Sequence, residues 1–349
     1  MQIRYDESSV SLVFLGSSLK VNETGILGSL AGPEEADSRV FTMNYLKGNL
    51  HTHTDASDGD SPLGEVARWY DDHGYDFLVI TDHNVRVSTE EIQNELTAER
   101  RRLLLIAGEE LTAWWQGPER VHALHIGGID TPHTLGASSG ESVAEVLQAM
   151  IDRVVEAGGM PSLNHPNFWD SVDWRDMAEL DGLTHFEVYN GHPLAFNAGT
   201  ERLPSMDAVW DILLSAGRTL YGIAVDDAHH FRSWGSEFSN PGRGWVSMRS
   251  ERSKEGIMQC LRAGRFFAST GPAIEVEVVG GELVVRCAED SRIEFITQGE
   301  VVKSFEATEA IHPMSGLGYL RARVQGDGGM AWTQPIVSPE SRSNAGIQS

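Results

Sequence analysis

Six histidines and three carboxylates in this chain of 349 residues stand at or near the ends of short apolar runs. They are His51, His53, Asp58, His83, Glu110, His125, His165, Asp227 and His229. Imidazoles and carboxylates together bind divalent transition metals, and Zn, Mn and Fe all accept such a mixture. The set is too large for one four-coordinate ion. The sequence therefore predicts a site for two or three divalent ions with a carboxylate between them.

The apolar runs before these residues are typical of buried strands, and amphipathic segments separate them. The run LVIT (78–81) leads directly into DHN, whereas ESVAEVLQAMIDRVVEAGG has the apolar spacing of a helix. About seven strands alternate with helices, which predicts parallel βαβ units. Residues from nearly every strand converge at the carboxyl ends only if the sheet closes. We therefore predict an α/β barrel over residues 45–272.

The pattern changes after the segment GRFFASTGP. Polar and apolar residues alternate between glycine turns in 273–337, which predicts a small, sandwich-like antiparallel β domain. Residues 1–44 mix short apolar patches with Gly and Ser, and we interpret them as a strand and loop segment that could pack with this domain. The last residues, 338–349, have the composition of a disordered tail.

The charge of the chain restricts its partners. The 27 Lys and Arg and 51 Asp and Glu residues give a net charge of -24, which argues against nucleic acid or an anionic membrane as a partner. A small molecule is the expected partner, and the oligomeric state stays open. No apolar run approaches the roughly 20 residues of a membrane span, and the N-terminus has no signal-type pattern, so we expect a cytoplasmic protein.

The motifs HTHTDASDG, ITDHN, GEELT, HIGG, NHPN and DDAH resemble, in type and order, those of the PHP (polymerase and histidinol phosphatase) metallohydrolases. The resemblance covers roughly residues 45–265 and implies a distorted (β/α)7 barrel. The segments GNLHTHT, EVYNG, AVDDAH and GRFFASTGP look closest to the CehA/McbA-type subgroup, which includes carbaryl hydrolases. In that subgroup the barrel carries a C-terminal β domain.

The resemblance implies a ligand set for each ion. His51, His53, Glu110 and Asp227 would hold the first ion. Glu110, His125 and His165 would hold the second, so that Glu110 lies between the two. Asp58, His83 and His229 would hold a third. His122 is the alternative to His125, because the spacing varies at this motif.

The chemistry that the resemblance implies is hydrolysis by a hydroxide that bridges two ions and attacks phosphorus or a carbonyl carbon. Asp227 would take the proton from the attacking water. Glu110 and His229 complete the expected catalytic set.

Two substrate classes follow from the resemblance. The broad family implies a phosphoesterase that acts on a small-molecule phosphate ester, which is our leading prediction. The closer subgroup implies a carboxylic ester, carbamate or amide hydrolase. HPNFWD has Asn167 and lacks the arginine that family phosphoesterases often carry there, so Arg86, Arg232 and Asn167 are the candidate substrate-binding residues. A non-catalytic metal-binding module is the remaining alternative.

Overall fold

The structure is a computed structural model that describes residues 45–337. The segments 1–44 and 338–349, with the predicted N-terminal strand and the predicted tail, lie outside the described residues. The described residues form a mixed α/β fold with one large sheet and helices packed against it. None of the helices within 45–337 is long and apolar enough to cross a membrane.

The sheet contains 15 strands between residues 45 and 337. The first part comprises β1 (Leu46–Asn49), β2 (Phe77–Ile80), β3 (Leu104–Gln116), β4 (Val121–Ile129), β5 (Met160–Leu163), β6 (His185–Asn190), β7 (Tyr221–Val225) and β8 (Trp245–Met248). The second part comprises β9 (Phe267–Ser269), β10 (Ile274–Val279), β11 (Glu282–Thr297), β12 (Glu300–Pro313), β13 (Tyr319–Gly326), β14 (Gly329–Thr333) and β15 (Ile336–Val337). The helices are α1 (Leu63–Asp72), α2 (Glu90–Ala98), α3 (Val143–Glu156), α4 (Trp174–Glu179), α5 (Met206–Ser215) and α6 (Lys254–Arg262).

Helix α3 shows how the apolar spacing of the sequence produces an element of the fold. The hydroxyl of Ser142 accepts a hydrogen bond from the Glu145 N–H and caps the first turn. Val146, Met150 and Val154 recur at helical spacing and are buried. The apolar face of α3 joins the largest core cluster, which includes residues of β3, β4 and β5. The helix predicted for this segment is thereby confirmed.

The first part of the sheet has the order β8-β1-β2-β3-β4-β5-β6-β7. The neighbours β1–β2, β2–β3, β5–β6 and β6–β7 are parallel, as predicted. The pairs β3–β4, β4–β5 and β1–β8 are antiparallel, so the prediction of parallel units throughout is wrong there. For the pair β3–β4, the physical reason is the connection GPER (117–120), in which the Gly117 N–H donates to the Arg120 carbonyl at 2.9 Å. This turn is too short to contain a crossover helix.

The predicted closed barrel is also corrected. Strand β7 pairs with β6 alone among the described strands. On the other side of β7, the side-chain amide of Gln334 exchanges two hydrogen bonds with the backbone of Gly222. The carboxyl ends of β1 and β7 meet only at a single parallel bridge between Thr52 and Ala228. The strands therefore do not close into a barrel, but the ends of β1 and β7, which precede predicted site residues, lie next to each other.

The antiparallel strands predicted for 273–337 are confirmed, and they continue the same sheet. Strand β9 pairs with β8 on one side and with β14 on the other. The buried Arg321 on β13 donates to Asp211 on α5 at 2.8 Å through Nε, and the Tyr319 hydroxyl donates to the same carboxylate. These contacts anchor the C-terminal strands to α5, and the domain boundary at 272/273 stays a prediction.

Candidate metal centre

The nine predicted ligands lie at one end of the sheet and come from six strands or the loops after them. His51 and His53 follow β1, Asp58 lies in the next loop, and His83 follows β2. Glu110 is within β3 and His125 within β4. His165 follows β5, and Asp227 and His229 follow β7. Every one of the nine belongs to at least one group of side chains whose donor atoms lie within 4.8 Å of one another.

Glu110 occupies the middle of this cluster. Its Oε1 is 3.3 Å from His51 Nε2, 3.1 Å from His165 Nε2 and 3.3 Å from His125 Nδ1. Its Oε2 is 2.9 Å from His83 Nδ1. The neighbouring Glu109 points to the opposite face of β3, where its carboxylate accepts the N–H groups of 135 and 136. Strand alternation therefore separates the two glutamates of GEE, and Glu110 alone faces the cluster.

A first donor group forms where β1 and β7 meet. The Nε2 atoms of His51 and His53 lie 3.0 Å apart, and each lies 3.2 Å from Asp227 Oδ1. The bridge at Thr52 sets this arrangement, because the Asp227 N–H donates to the His51 carbonyl at 3.1 Å. Two imidazole nitrogens and a carboxylate oxygen converge on one point, which is the geometry of a metal-ligand set.

The donor group predicted for the third ion lies around Asp58, on the solvent side of the first group. Its Oδ1 is 3.3 Å from His229 Nε2 and 3.5 Å from His53 Nδ1, and its Oδ2 is 3.5 Å from His83 Nε2. The Asp58 side chain is 54% exposed, whereas Glu110 and His53 are fully buried. This group is the most accessible part of the cluster.

Two of the cluster residues have strained backbones. His165 has a φ of 25° and Asp227 a φ of 50°, in the left-handed region that residues with a Cβ adopt rarely. Such strain persists only where surrounding contacts enforce it, and it concentrates at functional sites. His165 thereby reaches Glu110, and Asp227 reaches His51 and His53.

The buried carboxylates are held ionised by their neighbours. Burial raises the pKa of Glu110, but the charges of His51, His125 and His83 outweigh it and hold this pKa well below its usual range. Burial likewise opposes ionisation of Asp227, and His51 again contributes the largest opposing effect, so this pKa is also well below its usual range. Ionised carboxylates are the form that binds metal.

The pKa values of two imidazoles of the cluster are shifted in opposite directions. Burial and the charge of His229 lower the pKa of His53 to about 3. Burial also lowers the pKa of His83, but Glu110 and Asp58 outweigh it and raise this pKa to about 10. His53 is therefore in the neutral, ligating form at neutral pH, whereas His83 must release a proton when a cation replaces its carboxylate partners.

Four buried polar atoms of the cluster make no well-aligned hydrogen bond among the described residues, although two of them, both carboxylate oxygens, lie close to imidazole nitrogens. The four are Glu110 Oε2, Asp227 Oδ1, His125 Nε2 and His165 Nδ1. An unpaired buried polar atom is costly, and a native protein usually has a reason for it. The orphaned atoms and the mixture of imidazole and carboxylate donors together fit divalent metal ions.

The sequence analysis missed Glu187 on β6. Its Oε1 is 2.7 Å from His51 Nδ1, and its Oε2 accepts from the His165 N–H and the Asn190 side-chain amide, each at 2.7 Å. The hydrogen bond to Nδ1 leaves His51 Nε2 free to ligate. A signal existed in EVYNG, since Glu187 stands in a strand whose other residues are mostly apolar, and an unpaired buried glutamate is rare.

His192 is not among the predicted site residues, but the structure places it beside the cluster. Its ring centroid is 5.9 Å from that of His229 and 5.7 Å from that of Phe168. Burial lowers the pKa of His192 to about 4, although Asp227 opposes the shift. The imidazole is therefore neutral at neutral pH, and no sequence pattern indicated its position.

The predicted substrate-binding residues have other partners. Arg86 Nε donates to the Thr131 carbonyl at 2.6 Å, and the exposed Arg232 pairs with Glu65 at 2.8 Å. The Asn167 amide donates to two backbone carbonyls of the loop before α5, each at 3.0 Å. None of the three contacts a predicted ligand in this structure, so substrate binding by these residues stays a prediction.

The alternative ligand His122 faces away from the cluster. Its Nδ1 is 2.7 Å from the Ser171 carbonyl, and its ring contacts Trp115. Strand alternation separates His122 from His125, because residues three apart on β4 point to opposite faces of the strand. The distances agree, since His125 Nδ1 is 3.3 Å from Glu110. Of the two histidines, His125 is the one that belongs to the cluster.

Comparisons with known proteins give only distant likenesses. No family model and no curated protein match the chain. A solved two-domain protein from Bacteroides vulgatus, which contains a predicted PHP-like metal-dependent phosphoesterase, is 16% identical, with a TM-score of 0.49 over 84% of this chain and 95% of that one. An amidohydrolase from Chromobacterium violaceum is 15% identical, with a TM-score of 0.39 over 63% of this chain and 96% of that one. At this distance, neither activity carries over to this chain.

Proposed function

We propose that this protein is a metal-dependent hydrolase of the PHP type. The observation that carries the proposal is the convergence of all nine predicted ligands into overlapping donor groups at one end of the sheet. The residues were predicted from their type, their position after apolar runs and the order of the motifs, and six separate strands contribute them. A binding module with a degenerate site would have no reason to retain a complete set of imidazole and carboxylate donors.

The donor groups suggest which residues would hold each ion. His51, His53 and Asp227 would hold one ion and His125 and His165 a second, with Glu110 between them; Asp58, His83 and His229 would hold a third. Bound divalent ions supply a hydroxide nucleophile at neutral pH and neutralise charge that develops on the substrate.

The chain itself contributes proton handling and orientation. Asp227 is ionised, and its Oδ1 is orphaned and points into the cluster, so it is placed to take a proton from the attacking water. Glu187 fixes the ring of His51 through Nδ1. His229 Nδ1 donates to the Asp227 backbone carbonyl at 2.9 Å, which leaves its Nε2 facing Asp58 in the position of a ligand.

The proposed substrate is a small-molecule phosphate ester. Three divalent ions would exceed in charge the three carboxylates of the cluster, Asp58, Glu110 and Asp227. The excess positive charge suits a phosphate group, even though no arginine of the described residues contacts a predicted ligand. The substrate would be recognised mainly through the ions.

A neutral ester, carbamate or amide is the second candidate, and one observation favours it. Phe168 contacts His125 and His165 at centroid distances of 6.2 and 5.2 Å and stacks on Trp169, which is 50% exposed. Aromatic side chains beside the ligands suit an apolar substrate better than a dianion. With only two ions bound, the positive excess that suits phosphate would also be smaller. This candidate agrees with the resemblance to the CehA/McbA-type subgroup.

The test is metal analysis combined with three substrates. Protein loaded with Zn, Mn or Fe is assayed on p-nitrophenyl phosphate, bis-p-nitrophenyl phosphate and 1-naphthyl acetate, and its metal content is measured. Hydrolysis of a phosphate ester supports the leading proposal, and hydrolysis of the acetate alone supports the second. Turnover of none of them, or fewer than two ions per chain, overturns both.

A pair of variants distinguishes a loss of activity caused by the site from a general effect of replacing an aspartate with asparagine. Asp227→Asn removes the proposed proton acceptor and should abolish turnover. Asp327→Asn makes the same chemical change in an exposed turn between β13 and β14 and should leave turnover unchanged. Equal activity of the two variants would contradict the role given to Asp227.

A further inference from the structure

A histidine outside the predicted ligand set is held at the cluster by its own loop. His192 lies just after β6, and its backbone N–H donates to Asn190 Oδ1 at 2.7 Å. The Asn190 amide in turn donates to Asp227 Oδ2 at 3.2 Å and to Glu187 at 2.7 Å. The position of His192 is therefore fixed relative to Asp227, the proposed proton acceptor.

The hydrogen bonds of the His192 ring determine its tautomer. Its Nδ1 accepts the Leu194 backbone N–H at 3.1 Å, so Nδ1 carries no proton. In a neutral imidazole the proton then belongs to Nε2, which becomes a donor. Nε2 lies on the side of the ring opposite this loop contact and has no partner among the described residues. The ring thus presents a single N–H that its own loop does not use.

The surroundings of the ring show where this donor is available. His229 lies on one side of His192 and Phe168 on another, and both meet it edge to face, at interplanar angles of 71° and 74°. Phe168 also contacts His165. His192 therefore lies beside His229, which is proposed to hold the third ion, and is linked through Phe168 to His165, which is proposed to hold the second.

We propose that His192 is a catalytic residue whose Nε2–H donates a hydrogen bond to a substrate oxygen and stabilises the charge that develops there during hydrolysis. This inference rests on the proposed function, because it needs a substrate at the cluster. A donor fixed in advance in a partly desolvated site stabilises an oxyanion without any reorganisation at the moment of reaction. It would also contribute to substrate binding, for which no arginine of the described residues is in place.

Two substitutions separate this role from a structural one. His192→Asn keeps an acceptor near the position of Nδ1 for the Leu194 N–H, but its side chain is too short to reach the substrate. His192→Gln places an amide N–H near the position of Nε2 and gives up the contact with Leu194. A catalytic donor is therefore lost in the Asn variant and retained in the Gln variant, whereas a purely structural role predicts the reverse.

The experiment uses the full chain loaded with metal and measures kcat, KM and metal content. We expect His192→Asn to lower kcat about a hundredfold, the usual cost of removing one oxyanion donor, with little change in KM or metal content. His192→Gln should stay within about tenfold of the unsubstituted protein. His312→Gln, on β12 and outside the cluster, serves as the matched control and should have no effect. Unchanged kcat in His192→Asn, or an equal loss of metal in both His192 variants, overturns the inference.

A binding measurement distinguishes failure of this inference from failure of the proposed function. Calorimetry gives the affinity of the metal-loaded protein for inorganic phosphate and for acetate, the two product anions. If no ester is hydrolysed but one anion binds about tenfold more weakly to His192→Asn, the hydrolase proposal fails and the donor role of His192 stands. If the variant binds both anions as the unsubstituted protein does, the donor role fails. If neither anion binds to the unsubstituted protein, both fail.

Discussion

Glu187→Gln tests the geometry of the cluster most directly, because all three partners of this carboxylate are donors. His51 Nδ1, the His165 N–H and the Asn190 amide each approach a Glu187 oxygen at 2.7 Å. Glutamine has the same shape but only one oxygen. Whichever way its amide turns, its NH2 group meets at least one N–H.

The two orientations of the amide have different consequences. If the NH2 group faces His51, the imidazole must accept at Nδ1 and carry its proton on Nε2, which then cannot ligate a metal. If the NH2 group faces His165 and Asn190, two buried donors lose their acceptor, at about 1–3 kcal/mol for each unsatisfied group. Changing such a contact behind a metal-ligating histidine typically costs 10- to 100-fold in metal affinity. We therefore expect weaker metal binding, a lower stability, or both.

The assay compares thermal unfolding with and without metal and titrates metal against a fluorescent chelator. For a domain of this size each kcal/mol corresponds to about 2–4 °C in Tm. The control is Glu156→Gln, an exposed residue at the end of α3 that should change neither quantity. If Glu187→Gln matched that control in metal affinity and Tm, the role assigned to Glu187 would be refuted.

Three further predictions concern the same molecule. Glu110→Gln should abolish turnover and lower the metal content, whereas Cys260→Ser should do neither; elemental analysis and initial rates check both, and an active Glu110 variant would contradict its position between two ions. Acid should destabilise the fold through His185, because burial lowers the pKa of this residue to about 4 despite its contact with the Leu261 carbonyl. Below pH 6.5 the unfolded chain binds a proton at this imidazole, whereas the folded chain does not. In urea unfolding, His185→Gln should therefore reduce the loss of stability between pH 7 and pH 5 by about 2 kcal/mol. Chelation should lower the Tm, because ions that bind only the folded state stabilise it by mass action, and an unchanged Tm would argue against a filled site.

The clustering of the candidate ligands was predictable because the sequence marks the places where buried strands end. An imidazole such as that of His83, placed soon after the buried run LVI, indicates that this end of the strand carries a functional site. Parallel neighbours bring such ends together whatever the details of the helices. The choice of Glu110 over Glu109 could be made only by resemblance, but alternation on β3 gives the same answer from geometry.

The remaining features depend on tertiary contacts that leave no mark in a single sequence. The hairpin of β3 and β4 looks like two units of a parallel barrel until the turn at 117–120 is seen to be too short for a helix. His192 lies in a loop without apolar periodicity, and its place beside His229 results from the path of the chain after β6. The partners of Arg86 and Arg232 could not be predicted from the sequence either, because a long, flexible cationic side chain can extend in many directions.

The number of ions connects the structure to the choice of substrate. The donors around Glu110 are buried, whereas the group around Asp58 is open to water, with Asp58 itself 54% exposed. Charge interactions are weaker in the more solvated position, so an ion held by Asp58, His83 and His229 should be the first to leave. Loss of that ion would remove much of the positive excess that suits a phosphate group, while the buried pair could still activate water against a neutral carbonyl. The substrate preference of this protein should therefore depend on the occupancy of its most exposed donor group.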